Sequence, residues 1–200
     1  MSNWSRRRAL QAAITVGTLS IAGCSGSTSS SEEVSSDRGD PVPNVEVRFA
    51  RDRTGSHLYD LERENEQDGE SEGGELLHLT SESQRDRLAF RSTDPATRLR
   101  SFVNGTDLDT ESVFLIETSI GACHEARLLG VYRESDGVDA DFCRALKPAD
   151  VDCSEGDRDR IGVAIRLPFP ADEFTSIGSR WGSDCDRPGT AIAREGGDEE

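Results

Sequence analysis

Five side chains in this chain carry thiols, and their positions limit the chemistry that they can do. Four of them lie in the C-terminal half, at Cys123, Cys143, Cys153 and Cys185, and the fifth, Cys24, stands alone near the N-terminus. An even number of cysteines in an exported protein is typical of disulfides. We therefore expect two disulfides among the four, for which three pairings exist.

The predicted strands favour one of these pairings. A hairpin over residues 126–146 would place Cys123 near the far end of the partner strand, close to Cys153. Cys143 is out of phase with the core-facing residues of that strand and would face the C-terminal segment that carries Cys185. We therefore favour Cys123–Cys153 with Cys143–Cys185.

A metal site is the alternative use of the same cysteines. Thiolate and imidazole bind zinc, and His124 follows Cys123 directly. The chain has no Cys-x-x-Cys or His-x-His spacing, and neighbouring residues of a strand point to opposite faces. Asp107, Asp109 and Glu111 alternate as calcium ligands do, but Ser112 stands where an EF-hand loop needs glycine. We expect no metal and no other cofactor.

The N-terminus has the order of an export signal. Arg6, Arg7 and Arg8 precede an uncharged, mostly apolar run over residues 9–23, which is shorter than the ~20 residues of a membrane-spanning helix. Small residues then lead into Cys24. This order predicts a signal peptide over residues 1–23.

Two motifs in this segment resemble known export elements. Ser5-Arg6-Arg7-Arg8-Ala9-Leu10 resembles the twin-arginine export motif, with Ala9 where that motif usually has Phe. Ile21-Ala22-Gly23-Cys24 resembles a lipobox, the site at which lipoproteins are cut and lipidated. The resemblance implies that Cys24 becomes the first mature residue and carries a lipid. A two-chain lipid suffices to hold a protein on a membrane, so we expect the extracellular face of the cell membrane as its location.

The charge of the chain excludes some partners. It has 23 basic and 39 acidic side chains, a net charge of −16, and Lys147 is its single lysine. This composition resembles that of proteins from extremely halophilic archaea, in which molar salt shortens the screening length to ~3 Å. Nucleic acid would be repelled by such a chain. The expected partners are the membrane, through the lipid, and an extracellular protein or small ligand.

Short strands between turn signals predict an all-β domain. Residues 24–40 read as a disordered tether, 41–193 as one β domain and 194–200 as a disordered acidic tail. Strands are predicted near residues 45–49, 58–61, 76–79, 87–90, 113–120, 126–133, 138–146 and 161–167. The first two would form a hairpin, and the last would have one solvated face. The fold class is an antiparallel, disulfide-bridged β-sandwich or partly open barrel.

Residues 106–168 resemble a small secreted β module described as protease-inhibitor-like, known from a protease-complex lipoprotein subunit. The resemblance lies in VFLIETSI, CHEARLLGVYRE, VDADFCRAL and IGVAIRLP. That family usually has a Gly-Gly-Tyr turn where this chain has Gly121-Ala122-Cys123-His124. The resemblance supports the β fold and implies a modulator of an extracellular protease as one possible function.

The remaining motifs favour a binding protein over an enzyme. Asn104-Gly105-Thr106 is an N-glycosylation sequon after a predicted strand that ends at Val103. The chain has no Gly-x-Ser-x-Gly, His-Glu-x-x-His or phosphate-binding glycine loop. Our first hypothesis is therefore a non-catalytic, lipid-anchored binding module. The alternatives are the protease modulator and a metal carrier or enzyme that uses the Cys123–His124 region.

Overall fold

The computed structural model describes residues 39–61, 76–185 and 192–195, which all belong to one compact unit, residues 36–200. The strands are β1 (Asp40–Pro41), β2 (Glu46–Asp52), β3 (Tyr59–Leu61), β4 (Leu76–Leu79), β5 (Leu88–Phe90), β6 (Ser112–Gly121), β7 (His124–Arg133), β8 (Gly137–Leu146), β9 (Arg158–Leu167), β10 (Ser176–Gly182) and β11 (Ala193–Arg194). The helices are α1 (Glu82–Asp86) and α2 (Asp94–Asn104), and a 3-10 turn covers Ala171–Glu173. The predicted signal peptide, nearly all of the predicted tether and the polar run 62–75 lie outside the described residues.

Most of the strands form two sheets that pack face to face. The first sheet has the order β1–β7–β8–β10, with β11 also paired to β7, and β10 runs parallel to β8. The second sheet is antiparallel and has the order β2–β9–β6–β4. A separate ribbon joins β3 to β5. The predicted β-rich, disulfide-bridged fold is confirmed, and the strands of the described ranges close no barrel.

The main core lies between the two sheets. Alternate residues of the central strands point into it, and the largest fully buried ones include Phe114, Leu128, Ile161 and Ile165. The β7–β8 hairpin turns at the predicted Asp-Gly pair, where Glu134 N donates to Gly137 O at 2.9 Å. Period-two alternation therefore predicts this layer correctly.

A second core covers the other face of the second sheet. Ala50, Val113, Leu115 and Ala164 point away from the first sheet and pack with apolar residues of α2 and of the β3–β5 ribbon. The expected solvated face of the last central strand is therefore wrong, because Ala164 is fully buried. Small side chains on β9 leave the space that the helix layer fills.

Helix α2 was not expected from the sequence. The Thr93 hydroxyl caps its first turn by accepting from Ala96 N, and a proline stands in that turn. Ala96, Leu99 and Val103 form its single buried stripe. Val103 therefore ends no strand, and the rest of the helix is polar enough to hide the helical period.

The predicted first hairpin is also wrong. β2 pairs with β9, and β3 pairs with β5. Leu58, just before β3, donates its N–H to Glu117 Oε2 at 3.0 Å and accepts from Arg91 N at 2.9 Å. Because the buried Glu117 carboxylate and the β5 segment take these backbone groups, the chain after β2 turns away from it.

The C-terminal boundary needs a correction as well. Arg194 belongs to β11 and pairs with Arg127 of β7, and Glu195 N donates to Ala126 O at 3.2 Å. Both residues were assigned to the acidic tail, but they form part of the first sheet. Residues 196–200 lie outside the described residues.

Gly162 of β9 lies where the helix layer comes closest to the sheet. A Cβ atom at this position would lie 2.6 Å from Leu58 Cδ1 and 2.7 Å from Leu99 Cδ1, and both leucines are fully buried. We expect Gly162→Ala to lower the free energy of unfolding by about 1–3 kcal/mol through overpacking. Chemical denaturation measures it, with Gly182→Ala as control, because that methyl group would meet nothing closer than 3.8 Å. Equal stability of the two variants would contradict this packing.

His78 of β4 predicts a pH dependence of stability. Its ring stacks on Phe174 with centroids 4.5 Å apart, and burial lowers its pKa from 6.5 to about 4. Between these values the unfolded chain binds a proton that the folded chain does not, so stability falls as the pH drops from 6.5 to 4. His78→Phe keeps a stacking ring and is expected to lose stability less steeply over this range. If the wild-type protein and His78→Phe lost the same stability between pH 6.5 and pH 4, His78 would not be the cause of this pH dependence.

Candidate functional site: a basic cleft

The two disulfides hold the segments around one end of the sandwich. Cys123–Cys153 and Cys143–Cys185 form as favoured from the sequence. The first closes the loop that follows β8 onto the start of β7, and Lys147 N donates to Cys123 O at 3.0 Å in the same place. The second joins β8 to the residues after β10. The loop after β8 is thereby fixed beside the edge of the second sheet.

A cleft of about 530 Å³ opens at this edge, between β2, the loop after β8 and β11. We call it the basic cleft. Its walls are Arg48, Phe49, Arg51, Arg53, Arg98, Glu125, Lys147, Pro148, Val151, Arg194 and Glu195. Six of these residues are cationic and two are acidic, which reverses the balance of the whole chain. The single lysine of the sequence lies here.

Arg51 forms the floor of the basic cleft and joins the two sheets. From β2 it donates to Asp159 Oδ2 at 2.5 Å, to His124 O at 2.6 Å and to Glu195 Oε2 at 2.7 Å, and Nε bonds the other Glu195 oxygen. Asp159 lies on the same sheet, whereas His124 and Glu195 belong to the β7–β11 side. Its guanidinium is therefore held by four hydrogen bonds within the protein and positions the site.

Lys147 lies on the wall of the basic cleft that the loop after β8 forms. Nζ donates to Ala122 O at 2.7 Å. Burial lowers the pKa of Lys147 below its usual value, and the positive charge of Arg51 lowers it further. The carboxylates of Glu195 and Asp159 act in the opposite direction. The charge of Lys147 is thus influenced by neighbouring cations and carboxylates alike.

Arg53 and Arg194 supply the exposed charge of the basic cleft. Both side chains are exposed, and no carboxylate of the described residues forms an ion pair with either of them. Glu125, the second acidic residue of the walls, forms an ion pair with Arg127 at 2.6 Å. An external anion would therefore meet two accessible guanidinium groups and the Lys147 side of the cleft.

A second groove of about 470 Å³ adjoins the basic cleft. It shares Arg48 and Arg98 with the cleft and is otherwise lined by Thr97, Ser101 and Phe102 of α2. Both shared arginines already take part in interactions within the protein. The two cavities thus both border strand β2 at Arg48.

Guanidinium groups bind carboxylate and phosphate oxygens through paired hydrogen bonds. The described walls of the basic cleft can therefore bind such groups and neutralise their charge. Elsewhere in the described ranges, no three His, Cys, Asp or Glu side chains are grouped to hold a metal ion. No helix among these residues is long and apolar enough to cross a bilayer.

The structure places the predicted site residues as follows. Cys24, Arg6 and Arg7 lie outside the described residues. Asn104 is exposed as the last residue of α2, but the Thr106 hydroxyl of its sequon is buried, donates to Phe102 O and accepts from Arg166. Asp107 accepts from Asp109 N and from Thr110 in a turn, which uses its carboxylate locally.

The basic cleft itself was not predicted. Arg48, Arg51 and Arg53 lie close together in an acidic sequence, and the single lysine is conspicuous, so part of the signal was present. Arg98 and Arg194 reach the cleft only through the packing of α2 and the pairing of β11. Comparison of the chain with protein-family models, curated proteins and solved structures found no match.

Proposed function

We propose that this protein is an exported, lipid-anchored module that binds an anionic ligand in the basic cleft without catalysing its conversion. The observation that carries the proposal is that Arg53 and Arg194 are exposed, without an ion pair to any carboxylate of the described residues, in a cavity that four further cations line. This cavity belongs to a chain with net charge −16. Arginine and lysine side chains that serve only as solvated surface charges do not need to lie close together. The lipid on Cys24 would keep this module on the extracellular face of the membrane.

Binding in salt depends on direct contact. At molar ionic strength the screening length is ~3 Å, so long-range attraction contributes little and paired hydrogen bonds must supply affinity. A ligand held by guanidinium groups should therefore remain bound in molar sodium chloride, although more weakly than in dilute buffer. A ligand that is attracted only by long-range electrostatic forces should dissociate in molar sodium chloride.

Calorimetric titration of the purified chain with pyrophosphate and with citrate tests the proposal. We expect binding of at least one anion, weakened about 3–10-fold by Arg53→Gln and by Arg194→Gln, which corresponds to about 1 kcal/mol per lost contact. Arg100→Gln is the matched control, because this exposed arginine of α2 lies outside the cleft. No binding of either anion, or equal weakening by Arg100→Gln, would refute the proposal.

The other hypotheses from the sequence have less support. The metal or enzyme hypothesis relied on a Cys123 thiol, and that sulfur forms a disulfide with Cys153. The protease-modulator hypothesis has only the resemblance of residues 106–168. It stays a prediction that an assay of extracellular protease activity with the added purified chain would test.

A further inference from the structure

Strand β2 lies at an edge of the second sheet. Within the described ranges, its one strand neighbour is β9. An edge strand is a template for another extended chain, which adds to it through backbone hydrogen bonds. The basic cleft and the adjoining groove both border this strand, because Arg48 lines the two of them.

Exposed cations stand beside this edge. Phe49 and Arg51 face the first sheet, whereas Ala50 faces α2, as the alternation of a strand requires. The basic cleft offers the exposed Arg53 and Arg194 to a ligand. An extended peptide places every second side chain on the same face, so its alternate carboxylates could reach these two guanidinium groups.

The size and walls of the two cavities fit a peptide better than a small ion. Their volumes are about 530 and 470 Å³, which is the range of sites for ligands much larger than one oxyanion. Pro148 and Val151 expose apolar surface in the cleft, and Phe102 lines the groove. Such surfaces can contact the aliphatic parts of a peptide.

The chain already shows this mode of binding with its own residues. The short strand β11 pairs with the outer edge of β7, and the next residue, Glu195, places its carboxylate on Arg51. Ala126 N also donates to this carboxylate at 3.3 Å. A short strand with a carboxylate anchor is therefore a stable arrangement in this cleft.

We propose that β2 binds an acidic segment of a partner protein as an added strand, with its carboxylates on Arg53 and Arg194 of the basic cleft. This inference rests on the proposed function and names the ligand as an acidic peptide. Edge cations in many proteins only prevent unwanted pairing. Here they stand in an otherwise acidic chain, so they favour an acidic strand over others.

A synthetic peptide provides the test. The probe has about eight residues in which pairs of glutamate alternate with pairs of valine, so that each face of the strand carries carboxylates. The first control replaces every glutamate with glutamine, and the second carries methyl groups on alternate backbone nitrogens, which blocks strand addition. Binding to the full chain in detergent is followed by fluorescence anisotropy in dilute and molar salt, with pyrophosphate titrated in parallel.

We expect the glutamate peptide to bind and each control peptide to bind at least about tenfold less tightly. Arg53→Gln and Arg194→Gln should each weaken binding of the peptide about 3–10-fold, and Arg100→Gln should leave its binding unchanged. Equal binding of the methylated peptide would overturn strand addition. Binding of pyrophosphate without the peptide would overturn the inference and leave the proposed function intact, whereas binding of neither would overturn both.

Discussion

Replacing Arg51 by methionine is expected to lower the free energy of unfolding by about 3–5 kcal/mol, a large part of the stability of a typical domain. The exposed fractions of the Arg51, Asp159 and Glu195 side chains are 9, 7 and 15 %. Removal of the guanidinium leaves two nearly buried carboxylates without their shared cation. It also removes the hydrogen bonds by which β2 holds the β7–β11 side of the sandwich.

Arg91→Met is the control for this prediction. Arg91 pairs with Asp60 at 3.0 Å, but both side chains are more than half exposed, so its loss should cost less than about 1 kcal/mol. Chemical denaturation of both variants in the same salt gives the comparison. A cost for Arg51→Met as small as that for Arg91→Met would show that the cluster does not join the sheets.

The second large effect concerns the proposed anchor. Cys24→Ser is expected to move nearly all of the protein from the membrane fraction to the soluble extracellular fraction, because serine offers no thiol for lipid attachment. Two acyl-type chains at ~0.8 kcal/mol per buried methylene hold a protein firmly on a membrane. Fractionation in molar salt followed by immunoblotting measures the shift.

Ser25→Ala serves as the control, since it changes the neighbouring residue and keeps the thiol. It should remain in the membrane fraction. Retention of Cys24→Ser on the membrane, or intact-mass data showing an unmodified Cys24 in the wild-type protein, would contradict the anchor.

The central strands could be predicted because their pattern is local. β7, β8 and β9 alternate in period two or turn at an Asp-Gly pair, and each expected strand was found. That hairpin also favoured the observed disulfide pairing over the two alternatives, because it places Cys123 near the end of the partner strand. The position of Cys185, which follows β10, depends on contacts between distant segments.

The helix layer could not be predicted in the same way. Gly162 and Ala164 look like the solvated side of β9, and only the presence of Leu99 above them shows that they are buried. β10 contains Gly178 and Gly182 and joins β8 in parallel, an association that no short-range pattern encodes. Such features depend on contacts between distant segments.

The basic cleft depends on distant segments in the same way. Its cations come from β2, α2, the loop after β8 and β11, and the disulfide at Cys153 holds one wall in place. The composition predicts an acidic surface, because a net charge of −16 describes the surface as a whole and not this basic cleft. The candidate site is thus a product of topology.

A crystal structure of the purified chain soaked with tungstate tests the central claim most directly, because the anomalous signal of tungsten locates the bound anion. The account predicts a peak in the basic cleft within hydrogen-bonding distance of Arg53, Arg194 or Lys147. An empty cleft, with tungstate bound instead at exposed arginines such as Arg91 and Arg100, would contradict it.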